Sequence, residues 1–174
     1  MFKLIIFVLV SAGIIHLSRP YFRDPHSHGF HRFFAFELIL ILFLLNVAQW
    51  FHDPFSIFQI ISWPLLLFSG FLVMHGFHIL RIIGKPKDKV EDTTVLVTQG
   101  AFRYIRHPLY SSLLFLGWGI FFKDPSFIGC ILVMAASAFI TATARIEENE
   151  NINKFGKIYV DYMKKTKMFI PFLF

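Results

Sequence analysis

The feature that most constrains this chain is the grouping of its apolar residues into blocks long enough to cross a bilayer, parted by short polar turns. A helix needs about 20 apolar residues to traverse a hydrocarbon core about 30 Å thick. Blocks that meet or approach this length run over 3–18, 31–51, 55–80, 108–122 and 125–146. The third holds Pro64 and Gly70, which membrane helices tolerate as kinks. The fourth is short for a span and is expected to tilt or lean on a neighbour. The chain is 56% hydrophobic with mean hydropathy +0.61, above the apolar share of ordinary soluble domains. The prediction is an all-α, polytopic membrane protein: one domain over 1–174 with about five transmembrane helices. The start, Met1-Phe2-Lys3 before an apolar run, reads as a retained first helix because no small-residue cleavage site precedes a soluble domain.

Polar punctuation supports this division. Prolines and glycine in Ser18–Gly29 end one helix and turn the chain. His52-Asp53-Pro54 and Lys123-Asp124 make tight reversals, and 81–106 is too charged for lipid. Five crossings place 15 of the 17 Lys and Arg residues on one side, leaving Lys3 and Lys123 on the other. By the positive-inside rule the basic side is cytoplasmic, with the N-terminus outside. The net charge of +6 is therefore juxtamembrane, suited to anionic lipid headgroups rather than nucleic acid. Arg145–Glu148 is expected to continue the last helix beyond the lipid, and the segment 147–171 reads as a cytoplasmic interfacial tail that completes the candidate site. In it Phe155, Ile158, Tyr159, Tyr162 and Met163 recur near helical spacing, predicting an amphipathic interfacial helix.

The groups able to do chemistry collect in two stretches, Thr98–Tyr110 and Arg145–Glu150. The reversal at 123–125 brings both to the same membrane depth. Arginines, a histidine, tyrosines and a carboxylate cluster then surround one rim, and Pro108 opens a helix at its first turn. Interfacial anchoring explains each residue singly. Their convergence points to a site.

The pattern Gly100-x-Phe102-x-x-x-Arg106-His107-Pro108-x-Tyr110, with Glu147-Glu148, Phe155-Gly156-x-x-Tyr159-x-x-Tyr162 and Phe169-Ile170-Pro171, resembles the signature of isoprenylcysteine carboxyl methyltransferases and their phospholipid-methyltransferase-like relatives. The resemblance covers roughly the last 80 residues. It implies methylation of a membrane-associated acceptor with S-adenosyl-L-methionine, without the soluble methyltransferase fold. It also implies that His107, Pro108 and the backbone at Arg106 border the cofactor, that Tyr110 lines its pocket and that Glu147-Glu148 complete it. Gly100 would permit the turn carrying the loop over the site. The sequence departs from the pattern at Phe102, where a tyrosine is common, and at Asn151, where leucine is usual.

The chemistry of the cofactor supports the same residues. Its carboxylate suits Arg106 or Arg103, its ammonium Glu147 or Glu148, and its sulfonium an aromatic face such as Tyr104, Tyr110 or Trp118, each worth ~0.5–2 kcal/mol. Arg106, His107, Glu147 and Glu148 are thus the catalytic candidates. Gly100, Tyr104, Arg106, His107, Pro108, Tyr110 and Glu147 are those for cofactor binding. Direct in-line transfer requires alignment and exclusion of water. A carboxylate acceptor, held by an arginine, needs no base. An amine needs one, for which His107 or a glutamate qualifies. A lipophilic acceptor would enter sideways from the bilayer.

Other polar residues carry plainer readings. Glu37 is expected to face the bundle, since a lipid-facing carboxylate is costly. His75 and His78 either line the same pocket or satisfy bundle polar groups. His16, His26, His28 and His31 lack zinc-ligand spacing, so no metal is expected. Gly117 and Gly119 favour close helix packing, and Cys130 ordinary packing. Two rival classes stand beside the methyltransferase: a sterol-reductase-like enzyme using a nicotinamide dinucleotide, and a non-catalytic membrane subunit or transporter component.

Overall fold

A computed structural model describes residues 1–85 and 93–172. The described residues are mainly helical: α1 (Phe2–Ser18), α2 (His28–Asn46), α3 (Ile57–Ile82), α4 (Pro108–Phe121), α5 (Phe127–Phe155) and α6 (Lys157–Lys165), with short 3-10 turns between some of them. Helices α1, α2, α3 and α5 are long and apolar enough to cross a membrane. With 14 residues, α4 rises about 21 Å at 1.5 Å per residue, short of the hydrocarbon thickness, as its block length implied. Lys87 and Lys89, counted in the charge asymmetry, lie outside the described residues.

Serines set the helix starts. Ser27, Ser56 and Ser126 sit at the N-caps of α2, α3 and α5, and their hydroxyls accept from the N–H groups of Phe30, Gln59 and Gly129. Such a cap contributes about 1 kcal/mol and explains why α2 starts at His28 rather than 31. The largest boundary difference is in α5, which runs on past the Arg145–Glu148 stretch expected to extend it and ends only at Phe155. It ends where Gly156 takes φ +61°, a conformation that glycine adopts without a Cβ penalty. The predicted tail is therefore helical almost throughout, as the end of α5 followed by α6.

Helix α3 packs along α4, α2 along α5, and α4 also meets α5, while α1 leans on α2. Ile39, Leu42, Ile120, Val133 and Ile140 fill the centre. Large apolar side chains such as Leu4, Leu67, Phe71 and Phe127 point outward, the surface expected of a lipid-facing bundle. Serines bond α3 to α4: Ser62 Oγ donates to the Gly119 carbonyl and Ser69 Oγ to that of Ser112, each at 2.7 Å. Gly119 allows this approach, since a Cβ there would lie 2.8 Å from both Cγ and Cδ2 of Leu66. Gly119→Ala is expected to force α3 from α4 and cost about 1–3 kcal/mol, read as a lower thermal midpoint in detergent. An unchanged midpoint would refute close packing there.

At one end of the bundle, Lys123 is 5% exposed. Its Nζ donates to Gln59 Oε1 at 2.8 Å and lies 3.5 Å from the centre of the Trp63 ring. Burial pushes its ammonium pKa down. Asn46 Nδ2 donates to the Ile120 carbonyl at 2.9 Å nearby, so α2, α3 and the α4–α5 turn are tied together. Ser11 Oγ donates to Glu37 Oε1 at 2.8 Å, giving the carboxylate the bundle-facing partner expected of it. Cys130 is exposed and therefore does not serve the packing role assigned from sequence.

Candidate active site

At the other end, a cavity of about 280 Å³ is enclosed by the start of α2, the end of α3, the start of α4, the end of α5, α6 and residues of the 93–106 approach. Converging helix ends at this level bring the two predicted stretches together, with a cavity rather than solid packing between them.

The approach to α4 is held from both sides. Gly100 takes φ +60°, and a Cβ there would lie 2.5 Å from His75 Nε2. That same nitrogen accepts from the Ala101 N–H at 3.2 Å, which ties the loop to α3. On the other side, backbone 104–107 runs parallel to 167–168. Arg106 N–H donates to the Lys167 carbonyl at 2.8 Å and His107 N–H to that of Met168 at 3.2 Å. Tyr162 hydroxyl donates to the Phe102 carbonyl at 2.6 Å, and Ser111 hydroxyl lies 2.9 Å from that of Phe169. Phe169 itself is 1% exposed, which gives the Phe169-Ile170-Pro171 element a physical role.

The two adjacent glutamates do different things. Neighbours on a helix point about 100° apart, so Glu147 faces the cavity while Glu148 turns behind its wall. Glu147 Oε2 accepts from the Tyr110 hydroxyl at 2.5 Å. Glu148 Oε1 accepts from Arg106 Nε at 2.5 Å and lies 3.4 Å from His107 Nε2. Arg106 Nη1 also donates to the carbonyls of Thr166 at 2.5 Å and Met163 at 3.3 Å. Its Nε and Nη1 are thus spent on holding α5 and the end of α6 against the approach. His107 is 5% exposed, and its Nε2 has no well-formed hydrogen bond. A buried ring nitrogen left so is costly unless something completes it.

Arg106, His107, Pro108, Tyr110 and Glu147 line the cavity together. Gly100 and Glu148 act one layer back. Tyr104 is 51% exposed and Arg103 is exposed, and neither reaches the cavity. Trp118 lines a separate apolar groove with Leu65 and Phe115. Of the three aromatic candidates for the sulfonium, Tyr110 alone is in the wall. His75 buttresses the loop, and His78 is exposed.

Sequence reasoning missed Arg32 and Phe36 from α2, and it placed Tyr159 and Tyr162 in the motif of the tail without naming them for the wall, although all four line the cavity. Burial, reinforced for Tyr159 by the negative charge of Glu148 and Glu147, raises the pKa values of Tyr159 and Tyr162. Both phenols remain neutral at any ordinary pH. Asn151, one turn beyond Glu147, lines the cavity and hydrogen-bonds Tyr159. The departure from leucine there thus adds a polar group to the wall.

The described residues thus form a bundle of apolar helices with a cavity at one end. Residues 57–158 match the phospholipid methyltransferase family, and the chain belongs to that family. It is 27% identical over 124 residues to methanethiol S-methyltransferase of Crocosphaera subtropica, covering 68% of this chain and 46% of that protein. With the same enzyme of Pseudomonas deceptionensis it shares 24% identity over 120 residues, 65% of this chain and 43% of the other. Protein-S-isoprenylcysteine O-methyltransferase of Mus musculus is 30% identical over 84 residues, 47% of this chain and 29% of that one. The chain thus spans less than half the length of these curated relatives. No solved structure matches it.

Proposed function

We propose that this chain is an integral membrane methyltransferase that uses S-adenosylmethionine to methylate a lipophilic acceptor entering from the bilayer. In this reading α4 completes a fifth crossing, the cavity and C-terminus face the cytoplasm, and α6 lies at the headgroup level. The observation that carries the reading is the cavity between 98–110 and Glu147, lined by Arg106, His107, Pro108, Tyr110 and Glu147 of the residues proposed for the cofactor.

The wall fits the cofactor chemically. Glu147 offers a carboxylate to its ammonium, Tyr110 an aromatic face, and the apolar side chains of α3 and α4 a slot for adenine. The His107 ring borders the cavity with its Nε2 3.4 Å from Glu148 Oε1. The volume lies near the lower end of small-molecule sites. When bound, S-adenosylmethionine supplies a methyl group on a cationic sulfonium, ready for displacement by a nucleophile.

The chain's own residues then supply position and dryness. Gly100 and His75 fix the loop, and the parallel 104–107 and 167–168 segments close it against water. Tyr110 holds the Glu147 carboxylate by its hydroxyl, so the negative charge faces inward in one orientation. Arg106 and Glu148 neutralise each other behind the wall and keep the His107 ring in place. An acceptor that is already anionic needs no base. For a thiol or amine, His107 Nε2 is the atom placed to take a proton.

Calorimetric titration of the detergent-solubilised protein with S-adenosylhomocysteine, beside NADPH, tests the reading. Binding of the former is expected, with about tenfold or greater loss in His107→Ala and Glu147→Ala, the scale of a lost charge-assisted hydrogen bond. Binding of NADPH alone would favour a reductase, and binding of neither a non-catalytic membrane subunit or transporter component.

A further inference from the structure

From the two faces of α6 we infer that this helix senses bilayer charge. Its outer face docks on anionic phospholipid headgroups, and that contact holds its inner face in the wall of the cavity. The inference goes beyond methyl transfer and rests on the headgroup-level placement of α6 in the reading above.

One short helix serves two surroundings. Tyr159 and Tyr162 are buried and line the cavity. Lys157, Lys164 and Lys165 are exposed, and Ile158 beside them is 71% exposed. At about 100° per residue, positions 157, 158, 161, 164 and 165 share an arc of about 120°, and 159 and 162 lie outside it. The acid of that face, Asp161, accepts from Lys164 Nζ at 2.9 Å, which leaves Lys157 and Lys165 in excess. Lys167, just past the helix, is exposed as well.

The neighbouring chain says what covers this face. Ile170 lines the apolar groove with Leu65 and Phe115, which belong to the lipid-facing bundle. The segment after α6 therefore meets the hydrocarbon edge, and Phe172 is exposed there. Exposed apolar side chains interleaved with lysines at that level suit the boundary between headgroups and acyl chains. Each lysine near an anionic bilayer contributes about fivefold to binding. Ile158 gives the face a hold on acyl chains that a free anion in solution does not offer.

The coupling to the cavity comes from how α6 is hung. At its start Gly156 takes φ +61°, and a Cβ there would meet nothing within 4 Å. At its end Arg106 donates to the carbonyls of Met163 and Thr166, and the Tyr162 hydroxyl to that of Phe102. Nine residues are too few for a helix to be stable in water by itself. The helix thus persists through contacts on its faces. A bilayer contact outside favours the same docked state that presents Tyr159 and Tyr162 inside. Surface and cavity ligand each favour that state, so each strengthens binding of the other.

The test places the full chain in nanodiscs of phosphatidylcholine with and without phosphatidylglycerol. On the anionic bilayer, hydrogen exchange of amides 157–165 is expected to slow about tenfold or more, and S-adenosylhomocysteine to bind about threefold tighter or better. Lys157→Gln with Lys165→Gln, both at exposed sites, should abolish the two differences. Lys157→Arg with Lys165→Arg should keep them. Soluble glycerol 3-phosphate added to the zwitterionic nanodisc should reproduce neither, and a full effect from it overturns the bilayer as partner. Exchange that ignores phosphatidylglycerol, or a difference that survives the glutamine pair, overturns the docking. Slowed exchange with unchanged S-adenosylhomocysteine affinity overturns the coupling. If the unsubstituted chain binds no S-adenosylhomocysteine on either bilayer, the methyltransferase reading falls, and the exchange comparison still decides the docking.

Discussion

Glu148→Ala is expected to lower the thermal midpoint of the detergent-solubilised protein sharply and to abolish binding of S-adenosylhomocysteine with it. Both partners of the Arg106–Glu148 pair are about nine-tenths buried. Removing one leaves a buried charge uncompensated, at a cost of about 3–5 kcal/mol. The loss spreads because Arg106 also holds the carbonyls of Met163 and Thr166. Glu148→Gln keeps the acceptor oxygen and the shape, so its loss should be smaller. Glu147→Ala should separate the two neighbours, lowering ligand affinity while leaving the midpoint near that of the parent. Equal effects of the two alanine variants on the midpoint would refute the division between a wall-facing and a buttressing glutamate.

The second large effect is expected at Gly100. A side chain there meets two obstacles, the left-handed backbone at φ +60° and the His75 ring nitrogen. The first costs about 1–2 kcal/mol for a residue with a Cβ. The second displaces either His75, losing its hydrogen bond from the Ala101 N–H, or the loop itself. Gly100→Ala should therefore weaken S-adenosylhomocysteine about tenfold or more, because the loop carrying Arg106 and His107 moves. Adding His75→Ala relieves the collision and leaves the backbone cost, so the pair should recover part of the affinity. Full affinity in the single variant would show that the loop tolerates the change.

The apolar blocks and the Arg106-His107-Pro108 element were legible because their signals are contiguous. Twenty apolar residues fix a span without reference to anything else, and a proline fixes a helix start. The convergence of 98–110 with 145–150 was legible as well, since one reversal between two helices forces it. What adjacency could not reveal was partnership across the fold. Nothing local tells that Glu148 turns from the cavity while Glu147 faces it, or that Arg106 is committed to carbonyls near 163–166. The further run of α5 from Glu148 to Phe155 was missed because Asn149 and Asn151 are weak helix formers, a local preference that tertiary packing overrides. Arg32 was hidden in a charge tally. Its signal was Gly29, three residues earlier, whose want of a side chain lets the Tyr21 ring lie against α2 beside the Arg32 guanidinium.

The zipping of 104–107 against 167–168 has a consequence for biogenesis. Arg106 and the carbonyl of Thr166 are 60 residues apart in the chain, and the partner segment leaves the ribosome after α4 and α5 have been made. At about 5–20 residues per second, the nascent half-site waits several seconds for its closing segment. During that interval its polar groups lack the partners that 163–168 later supply. Membrane insertion and completion of the pocket are thus separate events in time, and a lesion confined to the late segment should yield an inserted protein with an unfinished chamber.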